Sequence, residues 1–141
     1  AIIVQDLGLA KQLIKYFPDL DIHASTQMTA HNLQGVLELQ RLGFKRVVLS
    51  RELSLHDIEY ICNNSNIEIE TFVHGALCIS YSGQCLFSSM IGARSGNRGK
   101  CAQPCRLPYS LIEKHSDSSN VIDKGYLLSP RDLCSLEYIL L

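Results

Sequence analysis

Four cysteines gather in one stretch, ETFVHGALCISYSGQCLFSSMIGARSGNRGKCAQPCR, residues 70–106, at the spacing C-x6-C-x15-C-x3-C. They are Cys78, Cys85, Cys101 and Cys105; Cys134 follows in a helix-like run, and Cys62 stands apart upstream. The stretch opens as an apolar run and turns into a loop rich in Gly, Ser and Arg, with no helical or alternating period between Gly92 and Lys100. Thiols collected on irregular backbone are suited to hold a metal centre. Iron–sulfur clusters take four thiolates and tolerate uneven spacing. Structural zinc prefers two close cysteine pairs, and only Cys101 and Cys105 form one.

Other chemistry is open to the same residues. A hydrolase would use Cys78 or a serine as nucleophile, with His74 or His23 as base and Glu70 orienting His74. No G-x-S-x-G or H-E-x-x-H motif occurs. Disulfides and inert thiols are the remaining readings. Cys62, on an apolar helix face, reads as core packing. His23 and His74 line a substrate pocket or sit hydrogen-bonded in the core, while His31, His56 and His115 read as surface residues. Arg51 and Glu52 read as an internal ion pair, with a substrate clamp as the alternative. Arg94, Arg98, Lys100 and Arg106 form a basic cluster around the thiols. It is either a solvated loop or an attractor for an RNA phosphate or a carboxylate substrate. No aromatic interleaving supports base stacking there.

The elements that must position these groups follow a regular order. AIIVQD is a strand ending in Asp6, and Leu9, Leu13, Ile14 and Phe17 then recur at helical spacing until Pro18. LDIHAST is a second strand, and a helix runs from about Ala30 to Leu42 with Gly43 as its C-cap. FKRVVLS is a third strand. Ser54, with Asp57 three residues on, opens a third helix, SLHDIEYICNN. IEIETFVHGA is a fourth strand. The β-α-β-α-β-α-β order with short connections predicts a parallel sheet, and strands such as RVVLS predict cover on both faces. Asp6-Leu7-Gly8-Leu9 matches a dinucleotide-binding glycine motif poorly. In a (β/α)8 barrel functional groups stand at strand ends, as Asp6, His23–Gln27, Ser50–Glu52 and His74 do here. The 141 residues cover only about half of the roughly 250 a barrel needs. PYSLIE and VIDKGYLLS pair as a hairpin around KHSDSSN, and DLCSLEYILL is a closing helix capped by Ser129, with Cys134 near its start.

Composition bounds the rest. The formal charge is -1 and the hydrophobic share 46%, ordinary values for a globular chain with no global pull towards nucleic acid or membrane. No apolar run reaches membrane-span length, and the N-terminal residues lack a signal-peptide pattern. A cytoplasmic setting is expected, where thiols serve metals or catalysis more often than disulfides. The chain starts inside a strand-like run and stops inside LEYILL, so a fragment of a longer protein is expected.

HASTQMTAHN (23–32), VVLSREL (47–53), ETFVHGALCISYSGQCLFS (70–88), RGKCAQPCR (98–106) and YLLSPRDLC (126–134) resemble the collagenase-like peptidase family, number thirty-two among the peptidases of unknown mechanism. The resemblance spans the chain and implies α/β architecture: a partial (β/α)8 TIM-type barrel with a cysteine-rich insertion and a short β-hairpin. Residues 1–77 would form βα units, 78–125 the insertion, and 126–141 a returning strand and helix. Some members are described as collagen-degrading proteases. Others look like iron–sulfur proteins needed to hydroxylate an RNA pyrimidine or a ubiquinone precursor. Carried over, the resemblance implies a [4Fe–4S] cluster on Cys78, Cys85, Cys101 and Cys134, with Cys105 as a substitute for Cys101; zinc is the alternative. The expected function is hydroxylation of an RNA pyrimidine or quinone precursor, with a peptidase or a binding scaffold as alternatives. Open barrel edges imply a homo-oligomer.

Overall fold

The computed structural model describes residues 1–115 and 118–139. Its centre is a four-stranded parallel sheet: β1 (Ile2–Val4), β2 (Ile22–Ala24), β3 (Arg46–Val48) and β4 (Glu68–Glu70), in that spatial order. Three ten-residue helices connect them: α1 (Leu7–Tyr16), α2 (Leu33–Leu42) and α3 (Leu55–Asn64).

Local chemistry sets the ends of each helix. Asp6 caps α1 by accepting the Leu9 N–H at 2.6 Å, and α1 closes at Phe17, the residue before Pro18. Asn32 caps α2 through the Gly35 N–H at 2.8 Å. The helix therefore starts three residues later than the apolar spacing alone predicts, because a side-chain acceptor outweighs the pattern at a helix start. Gly43, at φ 99°, closes it in the left-handed conformation. Ser54 and Asp57 form a reciprocal capping box on α3.

All three helices pack on one face of the sheet. Ala10, Val36, Leu39 and Ile61 share a single core with Val4, Ile22, Ala24, Val47 and Leu49. Ile22, Leu49, Ile61, Val36 and Val47 are fully enclosed, and each contributes about 1.5–3 kcal/mol of transfer free energy. Sequential strand order with one-sided helices is what successive right-handed crossovers produce without a reversal. That excludes the doubly wound arrangement. The unit observed is an open α/β sheet with β1 and β4 as edges, not a closed barrel.

Two expectations about this sheet are corrected. Cover on both faces holds only in part: Val47 and Val48, on opposite faces of β3, are both buried, but the face away from the helices also carries the register row Ile3, His23, Arg46 and Glu68. There Arg46 pairs with Glu68 at 2.6 Å and Glu70 at 3.2 Å. The fourth strand also does not run through to Ala76. It leaves the sheet after Glu70, and β5 (His74–Gly75) pairs antiparallel with β8 (Leu133–Cys134).

Beyond β5 lie α4 (Phe87–Gly92) and a hairpin of β6 (Tyr109–Lys114) and β7 (Ser119–Gly125). The hairpin is present as expected, but its return strand begins inside the expected turn, at Ser119, and ends at Gly125, short of YLLS; residues 116–117, and the last two residues of LEYILL, lie outside the described residues. The closing helix is absent from the described residues. Leu133–Cys134 is extended and Leu136–Tyr138 forms a single 3-10 turn. The reason is tertiary. The Ser129 hydroxyl expected to cap that helix accepts instead from Arg106, and the Ser135 N–H donates to the Val73 carbonyl at 2.7 Å.

Candidate metal centre

The connections that follow β2, β3 and β5 meet at one end of the sheet and enclose a cavity of about 450 Å³. Thr26 and Gln27 come from a 3-10 turn after β2, and Arg51 and Glu52 from the turn after β3. Cys78, Cys85, Cys101 and Cys105 come from the loop after β5 and complete the wall. A volume of this size is within the range of small-molecule sites.

The loop is docked onto the sheet end by specific contacts. The Glu52 carboxylate accepts the Ser82 N–H at 3.0 Å and its hydroxyl at 3.1 Å. The Thr29 hydroxyl donates to the Ser82 carbonyl at 3.1 Å, and the Gln84 amide donates to Thr29 Oγ1 at 3.1 Å. Gly83 adopts φ 81° with its α-carbon against the backbone of Gln27, where a Cβ would lie 2.6 Å from the Gln27 carbonyl oxygen. The arm between Cys78 and Cys85 therefore needs a glycine there. At the far end of the loop the Arg106 guanidinium donates to the carbonyls of Pro130 and Leu77, to the Ser129 hydroxyl and to the Asp132 carboxylate. Arg106 is a staple, not part of a solvated basic cluster.

Arg51 and Glu52 do not pair with each other. Arg51 donates to the Ala76 carbonyl at 2.7 Å and lies 4.1 Å above the Phe72 ring, while Glu52 holds Ser82. Adjacent residues in an extended turn point apart, and each found a partner on the incoming loop.

The thiols show how the cavity is tuned. Burial pushes the Cys78 thiol up, a hydrogen bond from the Ser80 backbone acts in the opposite direction, and the neighbouring thiols of Cys85 and Cys105 push it further up. The Cys101 sulfur accepts the Gln103 N–H at 3.3 Å. Backbone N–H groups directed at sulfur stabilise a thiolate and tune a cluster. Among the described residues, no three His, Cys, Asp or Glu side chains are placed closely enough to share one metal ion. Four cysteines do line one cavity, which is the donor type a four-thiolate group takes.

The other expected site residues lie elsewhere. Cys134 is exposed on β8 and does not line the cavity. It stands opposite His74, also exposed, in the β5–β8 ladder. Cys134 therefore gains nothing from a helix dipole. His23 is half-buried in mid-sheet, on the face away from the helices. Glu70 is engaged by Arg46, not by His74. Asp6 is spent as a helix cap. Ser50 is buried, and its hydroxyl has no partner among the described residues. Cys62 is exposed, not core, because the buried position of that helical turn is taken by Ile61. Gln27, Asn97 and Gln103 line the cavity and had no sequence signal beyond their nearness to strand ends and thiols.

Residues 1–140 match Peptidase family U32. The chain is 46% identical over 126 residues to "tRNA hydroxylation protein P" of Escherichia coli (strain K12), covering 88% of this chain and 28% of the relative. It is 43% identical over 133 residues to "23S rRNA 5-hydroxycytidine C2501 synthase" of the same organism, covering 94% and 19%. It is 34% identical over 131 residues to "Collagenase" of Porphyromonas gingivalis (strain ATCC BAA-308 / W83), covering 85% and 31%. The chain thus spans under a third of the length of each of these relatives. No solved structure matches it.

Proposed function

Because this chain belongs to Peptidase family U32, we propose that its cysteine-walled cavity is the cofactor-bearing part of a protein that hydroxylates a pyrimidine in RNA. The observation that carries the reading is the convergence of Cys78, Cys85, Cys101 and Cys105 on one cavity at the ends of parallel strands. These four would hold a [4Fe–4S] cluster, with Cys105 taking the place that the resemblance assigns to Cys134. Such a cluster would supply redox chemistry, which a hydroxylation needs and amino-acid side chains do not offer.

The chain's own residues have separable tasks. The Gln103 N–H is directed at the Cys101 sulfur, and the Ser80 N–H partly opposes the burial that pushes the Cys78 thiol up. Glu52 and Thr29 hold the arm that carries Cys78 and Cys85. The carboxamides of Gln27, Asn97 and Gln103 provide donors and acceptors suited to the edge of a pyrimidine. The names of the two Escherichia coli relatives favour RNA over a quinone precursor as the substrate.

A peptidase is supported by the name of the Porphyromonas relative, and the geometry gives it little. His74 lies outside the cavity, opposite Cys134, and Glu70 is held by Arg46. The deciding experiment is anaerobic purification of the intact protein with iron and sulfide analysis and a visible absorption spectrum, followed by nucleoside mass spectrometry of RNA from cells with and without it. Iron and sulfide in cluster proportion, with a hydroxylated pyrimidine that vanishes with the protein, is the expected result. Cleavage of unfolded protein by an iron-free preparation would overturn it.

A further inference from the structure

The formal charge of -1 conceals a separation. Residues 71–112, which supply most of the cavity wall, contain no Asp or Glu at all, while Arg94, Arg98, Lys100 and Arg106 fall within them. Arg106 is consumed by Asp132 and three backbone or hydroxyl oxygens. The other three cations are exposed. The ion pairs among the described residues involve Arg41, Arg46, Arg106 and His115, and none takes in Arg94, Arg98 or Lys100.

These three cations stand on an ordered loop. The Ser95 carbonyl accepts the N–H groups of Arg98 and Lys100 at 3.2 and 3.0 Å. Gly99, at φ 67°, returns its N–H to the Gly96 carbonyl. Arg94 Nε donates to the Lys100 carbonyl at 3.0 Å, closing the loop on itself. Gly96 and Asn97, inside this closed loop, line the cavity, and the Gln27 amide reaches the Gly96 carbonyl at 3.5 Å. The backbone that carries the charges is therefore ordered, and it adjoins the cavity at Gly96 and Asn97.

We propose that this loop, Arg94–Lys100, is a phosphate-binding rim that holds the backbone of single-stranded RNA on either side of a base inserted in the cavity. The inference rests on the reading that the cavity takes an RNA pyrimidine. A base extruded into a pocket leaves its two flanking phosphates at the entrance. Cations are required there, and carboxylates would repel them. The acid-free stretch meets both demands, and arginine matches phosphate through two parallel N–H bonds. An acidic protein would meet the same charge but would have no use for the amide-lined cavity behind it.

The test is fluorescence anisotropy of a short single-stranded pyrimidine oligoribonucleotide with the intact protein, across a salt series. The triple variant R94Q/R98Q/K100Q should bind more weakly, and its log-log salt slope should be shallower by about 1.4, since each of the two flanking phosphates neutralised on a single strand contributes about 0.7. A control triple variant, K11Q/K15Q/K45Q, removes cations outside the cavity wall and should leave the slope unchanged. An unchanged slope in the rim variant, or displacement of the RNA by poly-glutamate at equal charge, overturns the rim. The assay needs no cluster and no turnover, so the two readings fail separately. RNA held by the rim but never hydroxylated by iron-loaded protein would refute the hydroxylation and leave the rim standing.

Discussion

Replacing Gly83 by Ala tests whether the arm from Cys78 to Cys85 is positioned by its seat on Gln27. The new Cβ would meet the Gln27 carbonyl oxygen at 2.6 Å, its α-carbon at 2.7 Å and its carbonyl carbon at 2.9 Å. Ordinary contact begins at 3.4 Å, so the arm must retreat by about 0.8 Å from rigid backbone. A left-handed conformation costs a non-glycine residue about 1–2 kcal/mol, and overpacking adds about 1–3 kcal/mol. Against this total of about 2–5 kcal/mol stand the two bonds from Ser82 to Glu52 and the Thr29 bond to the Ser82 carbonyl. Bonds to a charged group are worth about 1.5–3 kcal/mol each and neutral ones about 1 kcal/mol. These bonds sum to about 4–7 kcal/mol, so the substitution removes most of the docking margin and the arm should open far more often while the sheet and helices stay folded. The expected readouts are faster amide exchange across 78–85 and low iron content after anaerobic loading, with little change in global unfolding. Gly92→Ala is the matched control: its Cβ meets nothing within 4 Å, and alanine in a helix is favoured by about 0.5–1 kcal/mol over glycine. Full iron content and unchanged protection in Gly83→Ala would refute the seat as the positioning device.

Cys78→Ala, Cys85→Ala, Cys101→Ala and Cys105→Ala should each abolish the visible absorption of anaerobic protein, whereas Cys134→Ala and Cys62→Ala should retain it; bleaching by Cys134→Ala would restore the ligand set implied by the resemblance. Arg106→Met should cost about 1–3 kcal/mol in urea unfolding of the β5–β8 region, because half-buried carbonyl acceptors lose their donor; a change below about 0.5 kcal/mol, the usual scatter of surface substitutions, would show the staple to be ornamental. The capping box makes stability pH-dependent: hydrogen bonds from Ser54 hold the Asp57 carboxyl below its usual value, so its contribution is present above the ordinary carboxylate range and lost as pH falls through the depressed value. The stability gap between wild type and Asp57→Asn should therefore close at low pH, and a constant gap would argue against the box. With β1 as an open edge and its Ile3 63% exposed, this chain alone should self-associate on size exclusion, and a clean monomer would argue against edge pairing.

The elements of the parallel unit were legible because their signals act within a turn or two of chain. Pro18 after α1, Gly43 after α2 and the Ser54–Asp57 box each act within a few residues. The start of α2 was missed for a local reason as well: apolar spacing extends back to Ala30, but Asn32 supplies the cap. Misreadings of another kind clustered after Glu70, where partners come from far along the chain. DLCSLEYILL has helical spacing, yet its cap serves Arg106 and its backbone pairs with β5. Arg51 and Glu52 looked like natural partners until the incoming loop gave each a better one.

By itself, then, the order of residues determined three capped helices, the parallel strands between them and the presence of a thiol-rich loop, because caps, apolar period and composition need no distant partner. Only the tertiary structure decided which thiols share a cavity. Cys105 and Cys134 are equivalent as chemistry, and they part company because Gly83 seats one end of the loop on Gln27, Arg106 pins the other, and β8 carries Cys134 off to stand beside His74.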